Sequence, residues 1–98
     1  MIVVTAKMTV KPGLKDEFVS GCQELIEATR KEEGCMSYKL YSDTDIQNEL
    51  VMLEFWEDIE SLNIHMETEH FKKFGDILDK FLVSDIDVIS YSAEQLQK

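Results

Sequence analysis

The eight residues from Glu49 to Trp56, ELVMLEFW, constrain the fold of this chain more than any other stretch. They read as a strand, in which successive side chains point to opposite faces. Leu50, Met52 and Trp56 then share one face with Glu54, while Val51, Leu53 and Phe55 share the other. Neither face suits water. Burying a large apolar side chain is worth ~1.5–3 kcal/mol, so a sheet built around this strand needs cover on both sides.

The remaining segments supply cover for one side. Ile2 to Val10 reads as a first strand, with Ile2, Val4, Ala6, Met8 and Val10 on one face and the more polar Thr5, Lys7 and Thr9 on the other. Pro12-Gly13 ends it in a turn. A helix is predicted from Lys15 to Glu32, with Phe18, Cys22, Leu25, Ile26 and Thr29 forming a buried stripe at steps of three and four. Gly34 stands where a left-handed helix terminus would be relieved by glycine. Cys35 to Ser42 reads as a second strand, with Met36, Tyr38 and Leu40 on one face and Ser37, Lys39 and Tyr41 on the other. The polar run Asp43 to Asn48 joins it to the third strand as a hairpin.

Asp58 is a predicted N-cap, followed by Ile59, Leu62 and Met66 at helical spacing. Thr68 is a second cap, opening a helix with Phe71, Phe74, Leu78 and Phe81 on one side. Val83 to Ser92 reads as a last strand, and Ala93 to Lys98 as a frayed tail. The order β-α-β-β-α-β predicts an α+β, ferredoxin-like split βαβ fold, a four-stranded antiparallel sheet with helices on one face. Two helical segments cover only one face of such a sheet. A second copy of the same face is the simplest cover for the other, which predicts a two-fold homodimer.

At 98 residues the chain has room for one domain, residues 1–98, with a core over about 2–92. Ten basic against 20 acidic residues leave a net charge of −10. That charge repels a phosphate backbone, so neither nucleic acid nor an anionic membrane is an expected partner. The start MIVVTAKMTV lacks the pattern of a signal peptide, and no apolar run approaches the ~20 residues that cross a bilayer. Cys22 and Cys35 fit no metal or CxxC spacing, so both are expected as free thiols in a reducing cytoplasm.

Groups able to bind or protonate a small molecule concentrate between Glu54 and Phe71, EFWEDIESLNIHMETEHF. Here lie the single tryptophan, Trp56, and both histidines, His65 and His70. His65 titrates near neutrality and is a candidate general base; the alternative is a structural histidine beside Leu62 and Met66. His70, at a helix start, is a weaker candidate for a polar contact with substrate. Positions five apart on one helix differ by roughly 140°; a bend before Thr68 could change that geometry, but no third ligand is evident in the sequence, so a metal is not expected. Trp56 and Phe71 are candidate aromatic walls for a flat substrate, with core packing the alternative. Tyr38 is favoured over Tyr41, which lies on the opposite strand face. Glu54, if buried, would have a raised pKa and could carry a proton.

Taken in order, IVVTAKMTVKPG, EEGCMSYKLYSD, LEFWED and HMETEHF resemble the antibiotic biosynthesis monooxygenase family over nearly the whole chain, to about Tyr91. The resemblance implies a ferredoxin-like dimer whose two sheets meet in an α/β barrel, with a pocket between sheet and helices in each protomer. It also implies oxidation of quinols or hydroxyaromatics by dioxygen without flavin, haem or metal, in which a deprotonated phenol reduces dioxygen directly. His65 matches the histidine of the family's W…H…HF pattern. Haem-degrading relatives use an asparagine, a tryptophan and a ligand histidine where this chain has Ala6, His65 and Gly75, so haem is not expected. Isomerisation of a small carbonyl compound and non-catalytic binding of an apolar metabolite remain open alternatives within the fold.

Overall fold

The computed structural model describes residues 1–97, so the end of the tail, Lys98, lies outside the described residues. The elements run β1 (Ile2–Thr9), α1 (Lys15–Gly21), α2 (Gln23–Arg30), β2 (Cys35–Ser42), β3 (Glu49–Trp56), α3 (Ile59–Met66), α4 (Glu69–Phe81) and β4 (Asp87–Ser92). The strands form one sheet in the order β2-β3-β1-β4, each antiparallel to its neighbours. This is the ferredoxin-like α+β fold that the element order predicts, with the split βαβ crossover placing β3 between β2 and β1. Among the described residues, no helix is long and apolar enough to cross a membrane.

Local chemistry explains most boundaries. Gly13 adopts φ 81°, a left-handed conformation that glycine reaches without steric cost, and so reverses the chain after β1. The predicted single helix is interrupted only by a turn at Cys22, itself in a helical conformation. Hydrogen bonds run through it, from the Cys22 N–H to Phe18 O at 3.0 Å and from the Ile26 N–H to Cys22 O at 3.0 Å. The stripe of Phe18, Cys22, Leu25, Ile26 and Thr29 is fully buried. In the β2–β3 hairpin the Asp43 carboxylate accepts the N–H groups of Asp45 and Ile46 at 2.7 and 2.8 Å, and Asn48 takes φ 65°.

Several expectations are corrected. Gly34 is not a left-handed terminus, since Gly13 and Asn48 alone have positive φ among the described residues. A side chain at position 34 would instead overlap that of Ser61, so glycine lets the chain entering β2 lie against the first turn of α3. Met36 does not share the face of Tyr38. A bulge between Cys35 and Ser37 leaves it 60% exposed. β4 begins at Asp87 rather than Val83, because Leu82 and Val83 pair with the end of β1 and the chain leaves the sheet before returning.

Val4, Ala6, Met8, Leu50, Met52 and Trp56, all from one sheet face, are buried with the helix stripes in a single core. The opposite face is open. Across it, register aligns Phe55, Val3 and Tyr91 in one row and Leu53, Thr5 and Ile89 in the next. Ile89 and Tyr91 are 44% and 49% exposed. Cys22 and Cys35 are free thiols, and burial pushes the Cys22 thiol up to about 12.

Gly34→Ala is expected to destabilise the protein by ~1–3 kcal/mol through overpacking. Chemical denaturation should show most of that loss recovered in Gly34→Ala/Ser61→Gly and less in Gly34→Ala/Ser61→Ala, which removes the clashing hydroxyl but keeps the clashing Cβ.

Candidate active site

α3 begins where the Asp58 carboxylate accepts the Ser61 N–H at 2.8 Å and the Ser61 hydroxyl at 2.7 Å. Its two turns bury Leu62 and His65 against the sheet. Ile59, Leu62 and Met66 lie on the helix as their spacing predicts, with Ile59 and Met66 55% and 40% exposed and His65 1% exposed.

The helical path breaks after Glu67. Thr68 accepts the Phe71 N–H at 3.2 Å and donates its hydroxyl to His65 O at 2.7 Å, starting α4 in a new direction. His65 and His70 thus escape the angular separation of one continuous helix, and their ring centroids lie 5.9 Å apart. Between them sits Glu32, just past α2, a residue that sequence reasoning did not single out. Its Oε2 accepts from His65 Nδ1 at 2.6 Å and from His70 Nε2 at 2.8 Å. A carboxylate offers only lone pairs, so each contact calls for hydrogen on the ring nitrogen that makes it.

Beside this trio, a cavity of about 510 Å³ opens between the buried sheet face and helices α3 and α4. Val4, Met8, Met52, Phe74 and Val88 are among its apolar walls. Tyr38, Glu54, His65 and Phe71 also line it, so four of the six candidate residues meet at one void. Trp56 does not. It is fully buried behind the cavity, its ring 4.7 Å from that of His65 and its Nε1–H donating to Glu54 Oε1 at 3.0 Å. Its expected place as a substrate wall is corrected to a buttress for His65 and Glu54. His70 likewise stands outside the cavity wall, behind Glu32. Gly75 faces the cavity with open space where a side chain would project.

Burial sets the electrostatics. It holds His65 below the usual histidine range despite the opposing pull of the Glu32 carboxylate, so the ring is uncharged at neutral pH. Burial raises Glu54 from 4.5 to about 7, against the hydrogen bond from Trp56, with Glu32 adding to the rise. It also raises Tyr38, with Glu54 contributing, so the phenol stays protonated. His65 Nε2 and Glu32 Oε1 are buried without a protein partner. His65, Glu54 and Tyr38 thus bring an imidazole and two groups that can donate hydrogen to the wall of one cavity.

Glu32, His65 and His70 are also the residues that could hold a metal, since their donor atoms lie within 4.8 Å of one another. In this arrangement the donors are hydrogen-bonded at 2.6 and 2.8 Å, and an ion at ~2.0–2.2 Å from each would displace those bonds.

The family model for antibiotic biosynthesis monooxygenase matches residues 1–76, a span that includes every candidate residue above. The chain belongs to the antibiotic biosynthesis monooxygenase family. It is 38% identical to "Putative monooxygenase YcnE" of Bacillus subtilis (strain 168), over 91% of this chain and 94% of that protein. It is 29% identical to "Probable quinol monooxygenase YgiN" of Escherichia coli (strain K12), over 81% of this chain and 90% of the relative. A crystal structure of a conserved protein from Methanosarcina mazei Go1 superposes with a TM-score of 0.90 at 39% identity, covering 95% of this chain and 92% of that one. Membership of this family suggests an oxidoreductase. One fold hosts several reactions, so the choice of chemistry rests on the cavity.

Glu54→Gln tests the electrostatics. A carboxyl whose pKa is raised on folding binds its proton more tightly in the folded state. Its destabilising effect is absent below about pH 4.5, grows as pH rises toward 7, and is constant above. Glutamine can still accept from Trp56, so the variant should match the unmodified protein near pH 4 and exceed its stability at pH 8 by up to ~3 kcal/mol, read from denaturant midpoints.

Proposed function

We propose that this protein is a cofactor-independent monooxygenase that oxidises a small aromatic quinol or hydroxyaromatic with dioxygen. The observation that carries this reading is an uncharged, unpartnered ring nitrogen, His65 Nε2, beside an apolar cavity. The cavity is of a size for a flat small molecule, with Phe71 and Phe74 among its walls. A phenolic O–H gives its proton to Nε2, and the electron pair stays on the ring oxygen. The electron-rich anion then reduces dioxygen directly: one oxygen atom enters the ring at a C–H carbon, the other leaves as water with two hydrogens from the substrate, and the substrate, giving up four electrons in all, ends as a quinone. Tyr38 and protonated Glu54 donate hydrogen bonds to the developing anions. No flavin, haem or metal enters this scheme.

Purified protein freed of metal should consume oxygen with a panel of hydroquinones and hydroxyaromatics, above their autoxidation. His65→Ala should reduce that rate by ~10²-fold or more. Oxygen uptake unchanged in His65→Ala would reject the base. Turnover of a small carbonyl compound under strict anaerobiosis would favour isomerisation, which needs the same proton shuttle. Ligand binding without conversion of any compound would favour a carrier.

The proposed partners are the aromatic substrate, dioxygen and a second copy of the chain. The open sheet face, with Leu53 and Phe55 on β3 and Ile89 and Tyr91 on β4, supports a two-fold pairing, which would set this apolar face against its own copy. The free thiols suit a reducing cytoplasm. Light scattering should give twice the 11.4 kDa chain mass, and Leu53→Asp should yield monomer or unfolded chain. A stable monomer of the unmodified protein at micromolar concentration rejects the pairing.

A further inference from the structure

Of the six candidate residues, none explains why His65 presents Nε2, rather than Nδ1, without a partner. Glu32 does. The imidazole is enclosed by Trp56, Tyr38 and Phe71, with ring centroids at 4.7, 5.6 and 5.1 Å, so it cannot flip without disturbing all three. Within that enclosure the one strong acceptor bonded to it is Glu32 Oε2, at Nδ1. A neutral imidazole has one hydrogen; the carboxylate claims it for Nδ1 and leaves the lone pair on Nε2.

We propose that Glu32 is a positioning residue for the base, fixing His65 in the Nδ1–H tautomer and stabilising the imidazolium formed on proton capture, and that His70 holds the Glu32 carboxylate in place. The proposal rests on the reading of His65 as base and deepens it. In the step concerned, the substrate O–H bond breaks and an Nε2–H bond forms. The Nδ1 hydrogen stays where it is, 2.6 Å from Glu32 Oε2, which faces the new positive charge. Such charge-assisted bonds are shorter and stronger than neutral ones.

His70 supplies the second restraint. Glu32 lies just beyond the end of α2, where a free side chain could turn to water. Its side chain is only 12% exposed, and the bond from His70 Nε2 at 2.8 Å fixes the same oxygen that meets His65. The groups around the imidazole are Glu32 beyond α2, His70 and Phe71 on α4, Tyr38 on β2, and Glu54 and Trp56 on β3, with Lys72 at the cavity wall. Of these, Glu32 is the carboxylate bonded to the ring. Its charge raises the basicity that burial depresses, which is the direction a base needs.

The chain has only two histidines, so spectra of protein labelled with ¹⁵N in histidine separate them easily. At pH 7.5, His65 is expected with hydrogen on Nδ1 and none on Nε2, and with a strongly deshielded Nδ1–H. Glu32→Gln should give a mixed or reversed tautomer and a lower His65 pKa. With 1,4-naphthohydroquinone and dioxygen, kcat should fall by ~10- to 100-fold while KM changes less than about threefold. His70→Ala should weaken the deshielded signal, and His70→Gln, which keeps an N–H toward Glu32, should restore it. Hydrogen found on Nε2 in the unmodified protein overturns the proposal. So does a Glu32→Gln protein with unchanged tautomer and His65 pKa, or with full turnover. Zinc binding that abolishes the Nδ1–H signal at micromolar ion also overturns it, by assigning the trio to a metal. If His65→Ala keeps turnover, the base reading fails on its own, and the tautomer spectra still decide what Glu32 does.

Discussion

One carboxylate oxygen ties the end of the first helical rod to two helices more than 30 residues further along the chain. Glu32 Oε2, beyond α2, meets His65 on α3 at a separation of 33 residues and His70 on α4 at a separation of 38. Burying an imidazole costs free energy unless its polar atoms are engaged, and Nδ1 is engaged by this contact. Around it, Thr68 ends α3, starts α4 and bonds the carbonyl of His65 itself. The trio therefore sets how the two later helices meet the earlier one at this end of the cavity.

The sheet beneath has two faces with different tasks. The even-numbered side chains of β1 and β3 form core and cavity floor together, and Glu54 is the one acid among them. Trp56 engages that acid from below and packs under His65, so a single aromatic side chain braces two polar groups that burial perturbs in opposite senses. Glu54 is driven toward its protonated form and His65 toward its neutral form. Apolar surroundings thus move both groups toward their uncharged forms, one a hydrogen donor and the other a hydrogen acceptor. Gly75 keeps a stretch of the α4 side clear, at a cost in helix propensity of about 1 kcal/mol.

Sequence alone determined what local physics dictates. The two-residue period marked β2 and β3 at their observed limits, Cys35–Ser42 and Glu49–Trp56, and oxygen-bearing side chains at Asp58 and Thr68 marked the starts of α3 and α4. The element order specified the fold, and the alternation of β3 foretold one covered face and one apolar open face. These signals act within a few residues, where backbone geometry leaves few choices. The tertiary structure decided everything that depends on contacts across long separations. Strand alternation puts Glu54 and Trp56 on one face but cannot say that the void borders Glu54 and stops short of Trp56, because the helices lying over that face set its edge. Gly34 reads as a helix terminus until Ser61 arrives against it. Glu32 reads as one of many surface acids until a change of direction at Thr68 brings both histidines to it, since which carboxylate meets which imidazole is a property of packing rather than of spacing.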